Sequence, residues 1–585
     1  MRVTDDGIER ILLIGSCMSE AWKIFIERVA PSVEVEMYFS GALPEVPQCQ
    51  IADYSFQIVQ IPLRSILQDL RFAALAQSDS EGHKKLFEDC KAAISFHVRN
   101  SLKWNREHGI LTFVTSFLVP QQNFMGRLMS PYQLENPRYF VQMLNEHLAF
   151  EVSRLQNVYF FDVNEIGESL GKRFTYEDHY SAFNHGAHLS DFDYHQNKSR
   201  LEPVVRIEEI YDYNIADFYE GAWREVCAMY RTIRQIDSVK MVVVDLDDTF
   251  WRGVIAEAED LADFAKQEGW PRGFWETLLI LKRRGIILAI ISKNEESVVR
   301  DAWKHVVKPN LISLDDFSVV KINWDQKSKN MAEILKATNL LSKNVVYIDD
   351  NPIQREDIKQ AFPEIRVLGG MPGSWRHVLL WAPETQVADV TSESAARTEM
   401  VQAQVRREEE RKNFAPDDFV ASLNVKEEFF PIQSVGHPKF KRVMELINKT
   451  NQFNTTGARW TQEQFIAATA KGVRFYAFEV SDRFTEYGLV GVVIVEGNTI
   501  SQFVMSCRVM GLDVEATAVG VMANLLRDQG YKQVRGVIVE TNKNLPCRSL
   551  YERAGFAQQD GAWIVELEMP IVLPTHMTVT KTDFA

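Results

Sequence analysis

The apolar positions of this chain gather into short, unbroken, β-branched runs with polar or small residues at their ends. Runs of that kind read as strands covered on both faces. Met241-Val242-Val243-Val244, Gly285-Ile286-Ile287-Leu288-Ala289-Ile290-Ile291 and Asn344-Val345-Val346-Tyr347-Ile348 are three of them. Arg10-Ile11-Leu12-Leu13-Ile14, Ile110-Leu111-Thr112-Phe113-Val114-Thr115 and Val158-Tyr159-Phe160-Phe161 are three more, nearer the N-terminus. Helical stretches lie between them, Phe274 to Arg284 among these, so the fold class expected is α/β with doubly wound sheets. Past residue 420 the strands follow one another closely, over Arg474–Val480, Gly488–Val495 and Thr499–Ser506. A helix over Val514–Gln529 and a strand over Val534–Val539 come next. From Glu393 to Lys412 good helix formers with mixed charges predict an exposed connecting helix, ended near Asn413 and Pro416. The expected organisation is an α/β domain over 1–236, a second over 237–374, a helical linker over 375–420, a third domain over 421–572 and a tail over 573–585.

Composition narrows the function classes. With 46% hydrophobic and 25% charged residues, the 585-residue chain is ordinary for a soluble protein of several domains. A net charge of -15, with no compensating basic domain, argues against nucleic acid as a partner. No apolar run reaches membrane-spanning length and no signal core opens the sequence, so no membrane is expected. Six cysteines (Cys17, Cys49, Cys90, Cys227, Cys507, Cys547) form no close pairs and no metal-ligand spacing. A reduced, cytoplasmic setting follows.

The chemistry is concentrated behind three of the apolar runs. Met241–Val244 leads directly into Asp245-Leu246-Asp247-Asp248-Thr249. Ligands of open α/β sheets bind outside the carboxyl ends of the strands. Two carboxylates this close repel one another unless a cation or a shared proton relieves them, and Mg²⁺ with phosphate does so. The second run ends in Ser292-Lys293-Asn294, Lys327 stands just before a helical pattern, and the third run ends in Asp349-Asp350-Asn351.

Acid pair, hydroxyl, lysine and acid pair, in that order, resemble the four motifs of the haloacid dehalogenase (HAD) superfamily of phosphotransferases. The resemblance implies Asp245 as the nucleophile and Asp247 as the general acid. It implies Ser292 and Lys327 as holders of the phosphoryl oxygens. A Mg²⁺ site would be formed by Asp245, the backbone carbonyl of Asp247, Asp349 and Asp350. Thr249, Lys293 and Asn294 are substrate-side candidates, Lys293 being either a substrate contact or simply solvated. The insert behind the first motif is too short for a large lid, so a minimal cap and an open site are expected.

The flanking regions resemble other families. The Gly15-Ser16-Cys17 turn is loosely similar to that of SGNH-type hydrolases, with Ser16 in the nucleophile's place. Asp191, Asp193 and His195 lack the usual Asp-x-x-His spacing, which favours a scaffold or docking domain. His179, His185, His188 and His195 match no zinc pattern. The third domain looks like a GNAT acyltransferase fold, in which a basic Gly-containing turn and a helix N-terminus take the pyrophosphate of coenzyme A. Arg508-x-x-Gly511 is present, but Asp513 stands where a small residue is usual, so a pantetheine arm is the alternative ligand.

Thr249 to Ile255, Ile348 to Pro352, Leu446 to Asn454 and Ser506 to Gly511 resemble segments of the FkbH-like family, HAD subfamily IIIC. That resemblance implies transfer of a phosphoglyceryl unit from 1,3-bisphosphoglycerate, removal of its phosphate, and loading of glycerate on an acyl carrier protein as a thioester. Cys507, beside Arg508 at a strand end, is the candidate acyl-bearing thiol, with Cys17 next; the other reading is an inert buried cysteine. Asn451, Gln452 and Asn454 either line the acyl or pantetheine pocket or serve as turn residues; Arg508 is a further substrate-binding candidate. Two alternatives stand beside this reading: a stand-alone small-molecule phosphatase, and a carrier-protein scaffold with an idle HAD site.

Overall fold

The computed structural model describes residues 7–16, 19–68, 70–121, 123, 125–172, 215–258, 260, 264–307, 311–388, 390, 397–411, 419, 421–450, 452–541, 544–559 and 561–582. The chain forms two compact units, Met1–Met229 and Tyr230–Ala585. Both are mixed α/β.

The first unit is built on a five-stranded parallel sheet. Its strands are β1 (Arg10–Gly15), β2 (Glu34–Phe39), β3 (Phe56–Val59), β4 (Thr112–Thr115) and β5 (Val158–Phe161), in the spatial order β2-β1-β3-β4-β5. Helices Ser80–Ser101 and Pro137–Ser153 bury Ile94, Phe140, Leu144 and Leu148 together with Leu12 and Val114 of the sheet. Trp22 and Phe25, on helix Glu20–Val29, pack on Tyr219. The polar residues at the carboxyl ends of this sheet are tied to one another. Ser19 Oγ donates to Gln60 Oε1 at 2.5 Å, Ser116 Oγ donates to Asp162 at 2.8 Å, and Asn164 Nδ2 donates to Ser116 Oγ at 3.0 Å. Ser16 belongs to this end, its N–H donating to Ser19 Oγ at 3.0 Å. Cys17, Asp191, Asp193 and the four clustered histidines lie outside the described residues.

The second unit contains two sheets. One is again parallel: β6 (Met241–Val244), β7 (Ile287–Ser292), β8 (Val319–Ile322), β9 (Val345–Ile348) and β10 (Arg366–Leu368), in the order β10-β9-β6-β7-β8. Successive side chains alternate between the faces. Val242, Val244, Leu288 and Ile290 join Trp275, Leu278 and Trp303 on one side. Met241, Val243, Ile287 and Ala289 join Met331, Ile334 and Val401 on the other. Burial of each larger apolar side chain contributes about 1.5–3 kcal/mol, which makes the central strand a rigid base for whatever follows it.

Val401 belongs to the connecting helix, Arg397–Arg411, and its burial corrects one expectation. This helix is not a solvated strut. Met400, Val401 and Ala403 are buried, and Gln402 Nε2 donates to the carbonyls of Asp315 and Phe317 at 3.1 and 3.3 Å. Further along, Arg407 is 5% exposed and donates to Asp482 at 3.2 Å and to the Tyr487 hydroxyl. The abundance of charge in the run hid a short apolar stripe, and its arginine is neutralised by a buried acid rather than by water.

The remaining sheet is eight-stranded, in the order β16-β17-β15-β14-β13-β12-β11-β18. Its strands are β11 (Lys426–Ile432), β12 (Arg474–Ser481), β13 (Glu486–Glu496), β14 (Thr499–Met505), β15 (Gln533–Gly536), β16 (Ala557–Gln559), β17 (Ala562–Glu566) and β18 (Thr578–Lys581). β18 falls in the segment expected to be a tail. Its Thr-Val-Thr alternation suits an edge strand, and it pairs parallel with β11. Helix Val514–Asp528 packs on the sheet through Ala518, Val519, Met522 and Leu526.

Candidate active site

The register of β6 against β9 sets Val244 opposite Ile348, so the next residue on each strand emerges at the same edge. Those residues are Asp245 and Asp349, and the Asp245 N–H donates to Ile348 O at 3.0 Å. β7, on the other side of β6, delivers Ser292 as its last residue. Lys327 opens the helix Lys327–Thr338 that follows β8. Its Nζ lies 2.9 Å from Asp245 Oδ2 and 2.6 Å from Asp349 Oδ2. Asp245, Lys327 and Asp349 are 8%, 3% and 0% exposed.

So buried an arrangement is electrostatically unbalanced. Burial above all pushes the Asp245 carboxyl up, to about 7; Asp349 adds to the rise and Lys327 opposes it. Burial works against the charge on Lys327, but Asp245 and Asp349 outweigh it and raise the ammonium above its ordinary value. Asp350 is raised as well, first by burial and then by Asp349. One lysine cannot hold this many carboxylates ionised. Asp245, Asp349 and Asp350 offer oxygens that all lie within 4.8 Å of one another. Surplus negative charge on hard oxygen donors fits Mg²⁺.

Asp247 stands outside that trio, and its carboxylate is fixed by three donors. The Trp251 indole N–H and the Ile255 N–H reach Oδ1 at 2.9 and 3.0 Å, and Asn294 Nδ2 reaches Oδ2 at 2.9 Å. Asn294 also donates to Ser292 Oγ at 3.1 Å, so one buried amide spaces the acid from the hydroxyl. The turn that carries Asp247 closes where Gly253, at φ 93°, donates its N–H to Asp248 at 2.7 Å. A side chain at Gly253 would be strained in that conformation.

Thr249, expected to face substrate, does not. The turn Phe250 N–H to Leu246 O, at 2.7 Å, swings it inward, where it is fully buried. Its Oγ1 accepts from the Asp350 N–H at 2.9 Å and donates to Asp350 Oδ1 at 3.3 Å, bracing the loop that carries Asp349 and Asp350. Lys293 lines a cavity of about 220 Å³ together with Asp245, Asp247, Ser292, Lys327 and Asp350. Among the described residues, the insert behind the acid motif contributes a turn at Ile255–Glu257 and the helix Trp270–Arg283.

Three supporting residues escaped the sequence reading. Tyr347, buried in β9, donates its hydroxyl to Asp349 Oδ2. An aromatic hydroxyl two positions before an acid on one strand shares its face, and that was the available signal. Trp251 offered a similar one, a donor close behind the acid pair. Arg355 donates to the backbone carbonyls of Asp349 and Asp350, each at 2.6 Å, and nothing in its spacing announced it.

The third sheet places the remaining candidates elsewhere. Asn454 is wholly buried; its Oδ1 accepts from Gln502 Nε2 and from the Gly457 N–H, each at 2.9 Å. It staples a turn and is closed to a ligand, so of its two expected readings the turn residue holds and the pocket residue does not. Gln452 is exposed, and its carbonyl accepts from Cys547 Sγ at 3.6 Å. Arg508 donates to Ser506 Oγ at 3.0 Å and to Met400 Sδ at 2.8 Å. Cys507 lies in the 3-10 turn Cys507–Val509, with its side chain outside the described residues; Asn451 is also outside them. Burial pushes the Cys547 thiol up to about 12 and the Cys90 thiol up to about 11.

No family model and no curated protein matches this chain. Among solved structures, it is similar to the N-terminal part of the protein BF1531 from Bacteroides fragilis, containing a phosphatase domain complexed with Mg. There the TM-score is 0.43 and the identity 19%, over 65% of this chain and 94% of the other. It is also similar to the cobalt-bound deoxy-D-mannose-octulosonate 8-phosphate phosphatase of Haemophilus influenzae (TM-score 0.18, 13% identity, 30% of this chain and 92% of the other). A third is the 3-deoxy-D-manno-octulosonate 8-phosphate phosphatase of Moraxella catarrhalis, in complex with a magnesium ion, a phosphate ion and a KDO molecule (TM-score 0.17, 16% identity, 32% of this chain and 98% of the other). No helix among the described residues is long and apolar enough to cross a membrane.

Proposed function

We propose that the sheet β6–β10 carries a Mg²⁺-dependent phosphotransferase of the HAD type. One observation carries the reading. Lys327 is clamped between Asp245 and Asp349 at the head of a cavity that also presents Asp247, Ser292 and Lys293. In this reading a carboxylate oxygen of Asp245 attacks the phosphorus and the bond to the leaving oxygen breaks. Asp247 gives that oxygen its proton, and then takes a proton from the water that cleaves the aspartyl phosphate. Ser292 and Lys327 hold the phosphoryl oxygens, Asn294 fixes Asp247 relative to Ser292, and Lys293 meets the substrate at the mouth. Mg²⁺, held by Asp245, Asp349, Asp350 and the backbone carbonyl of Asp247, would supply neutralisation of phosphoryl charge.

The finer reading names the substrate. The phosphoryl group removed belongs to a phosphoglyceryl unit taken from 1,3-bisphosphoglycerate, and the glycerate ends as a thioester on an acyl carrier protein. Its support is the likeness of four motif segments to the FkbH-like family, together with the small size of the insert over the cavity, which leaves room for a carrier-borne substrate. The simpler reading, a phosphatase of small phosphate esters with structural flanking domains, is favoured by the internal engagement of Asn454.

The test is incubation of the full-length protein with Mg²⁺, 1,3-bisphosphoglycerate and a pantetheinylated carrier protein, reading phosphate release and the intact masses of both proteins. A glyceryl increment on the carrier, absent with Asp245→Asn, is the expected result. Release of phosphate with an unmodified carrier would move the simpler reading ahead. No Mg²⁺-dependent release from this or any phosphomonoester tried would overturn both.

A further inference from the structure

The resemblance of the third domain implies a seat for coenzyme A or a pantetheine arm, and two independent features of the sheet bear on that seat. The first is a seam. β14 and β15 run parallel, paired at Thr499–Arg535 and Ile500–Gly536, and beyond that point they part. Strands that part expose inner rows of N–H and C=O groups, and an extended ligand bearing amides can pair with them. Here the chain itself fills the seam. Phe453–Thr455 lies antiparallel to β14, with the Met505 N–H donating to Phe453 O at 2.9 Å and the Thr455 N–H donating to Phe503 O at 3.0 Å. On the other side, the Val539 N–H donates to Thr455 O at 2.8 Å.

The insert is locked by buried amides. Asn544 Nδ2 donates to Asn454 O at 3.1 Å and to Val539 O at 2.9 Å, tying the inserted segment to the far wall. Gln502 holds Asn454 from β14, and is held in turn by the Trp460 indole N–H at 2.7 Å. Asn454 and Asn544 are 0% exposed. Displacing the segment would strand all these groups without partners, at a cost that a flexible arm with two amides does not repay.

The second feature is the phosphate end. Helix Val514–Asp528 starts from Asp513, and a bare helix N-terminus would attract an anion. This one is surrounded by acids. Asp513 and Glu515 share Arg553, at 3.2 and 2.7 Å, and His576 lies 3.5 Å from Asp513. Glu427 is fully buried in β11 within electrostatic reach of Glu515, and among the described residues neither of its carboxylate oxygens has a hydrogen-bond partner. Arg553 is already shared by Asp513 and Glu515, so a pyrophosphate placed here would have to compete with two acids for it.

We infer that the third domain excludes coenzyme A and pantetheine arms, the segment Phe453–Thr455 occupying its seam as a built-in ligand. Thioester chemistry, in the finer reading of the function, then takes place outside this seam.

The full-length protein, titrated with coenzyme A and separately with pantetheine by calorimetry, tests the inference, with hydrogen exchange followed at Thr455, Met505 and Val539. The expected result is no saturable binding up to about 1 mM, a limit equivalent to roughly -4 kcal/mol, and unaltered slow exchange at the three amides. A double variant, Asp513→Gly with Glu515→Gln, removes the repelling charge and leaves the seam filled; it too is expected not to bind. Binding at micromolar concentration by the wild type, or by a double variant whose melting shows it folded, would overturn the inference. So would a change of exchange at these amides on adding either probe. Phosphate release is read in the same samples, and its absence would count against the phosphotransfer reading alone.

Discussion

Two groups of buried acids occur in the second compact unit, and they differ in almost everything except burial. Asp245 and Asp349 share a lysine that reaches both, and Asp245 opens on a cavity that Ser292 and Asp247 also line. Glu427 lies within electrostatic reach of Glu515, and Glu515 is paired with Arg553, which Asp513 also holds. Asp247 beside the first group accepts three hydrogen bonds, whereas both oxygens of Glu427 accept none among the described residues. The contrast teaches that clustered buried acids do not by themselves mark a site. What distinguishes the first group is a set of fixed donors that aim the carboxylates at an accessible volume.

The largest effect that can separate the groups is on turnover. Asp245→Asn should lower phosphate release by on the order of 10³-fold or more, since it removes the attacking oxygen's charge. The same change relieves buried repulsion, so the fold should not suffer. Added Mg²⁺ at a hundredfold its Kd should stabilise the wild type by about 2.7 kcal/mol and this variant much less, as thermal melting with and without chelator would reveal. Equal stabilisation of both proteins would break the assignment of Asp245 to the cation.

Removing the lysine should be costly to the fold. Lys327→Met leaves two buried carboxylates without their common partner, a loss of about 3–5 kcal/mol near neutral pH. Urea unfolding measures it, and the loss should shrink in acid as the carboxyls take up protons. No loss at pH 7 would mean that the first group resembles the second after all.

In the other group a substitution should stabilise rather than destabilise. Burial first, and then Glu515, hold the Glu427 carboxyl well above its ordinary value, so the folded state keeps a proton that the unfolded state releases. The third domain therefore loses stability as pH climbs from the ordinary carboxylate range through the raised value, and regains it in mild acid. Glu427→Gln should flatten that decline, since an amide has no carboxyl proton to lose, and so be the more stable of the two at pH 7.5. A pH-independent wild type would refute the point. Smallest is Trp251→Phe, which takes one donor from Asp247 and should slow turnover about tenfold, near 1.4 kcal/mol, with KM little changed. A change in KM alone would place Trp251 against substrate.

How far the sequence foretold this depended on whether one strand's own pattern was enough. β6, β7 and β9 are continuous apolar runs, and the acids and serine at their ends, with Lys327 at the head of its helix, were legible as a set. β8 contains Lys321 among its four residues, and β11 contains the buried Glu427, so both escaped the pattern. The donors behind the site, Tyr347, Trp251 and Arg355, depend on which strand lies beside which, information that spacing along one segment does not hold. Asn454 was the most instructive. A polar turn of Asn, Gln and Asn looks the same in sequence whether it lines a pocket or plugs a seam.

The helix Arg397–Arg411 has a practical consequence for anyone dissecting the molecule. A gene fragment ended at the composition change near Ser374 would leave Met241, Val243 and Ile287 without the covering side chains of Val401 and Val405. Ended just beyond Arg411 it would instead carry Arg407 without its acid, Asp482. The sheet β6–β10 and its neighbour are thus poor candidates for shuffling as separate parts, and a swap into another assembly would have to move both sheets with the helix between them.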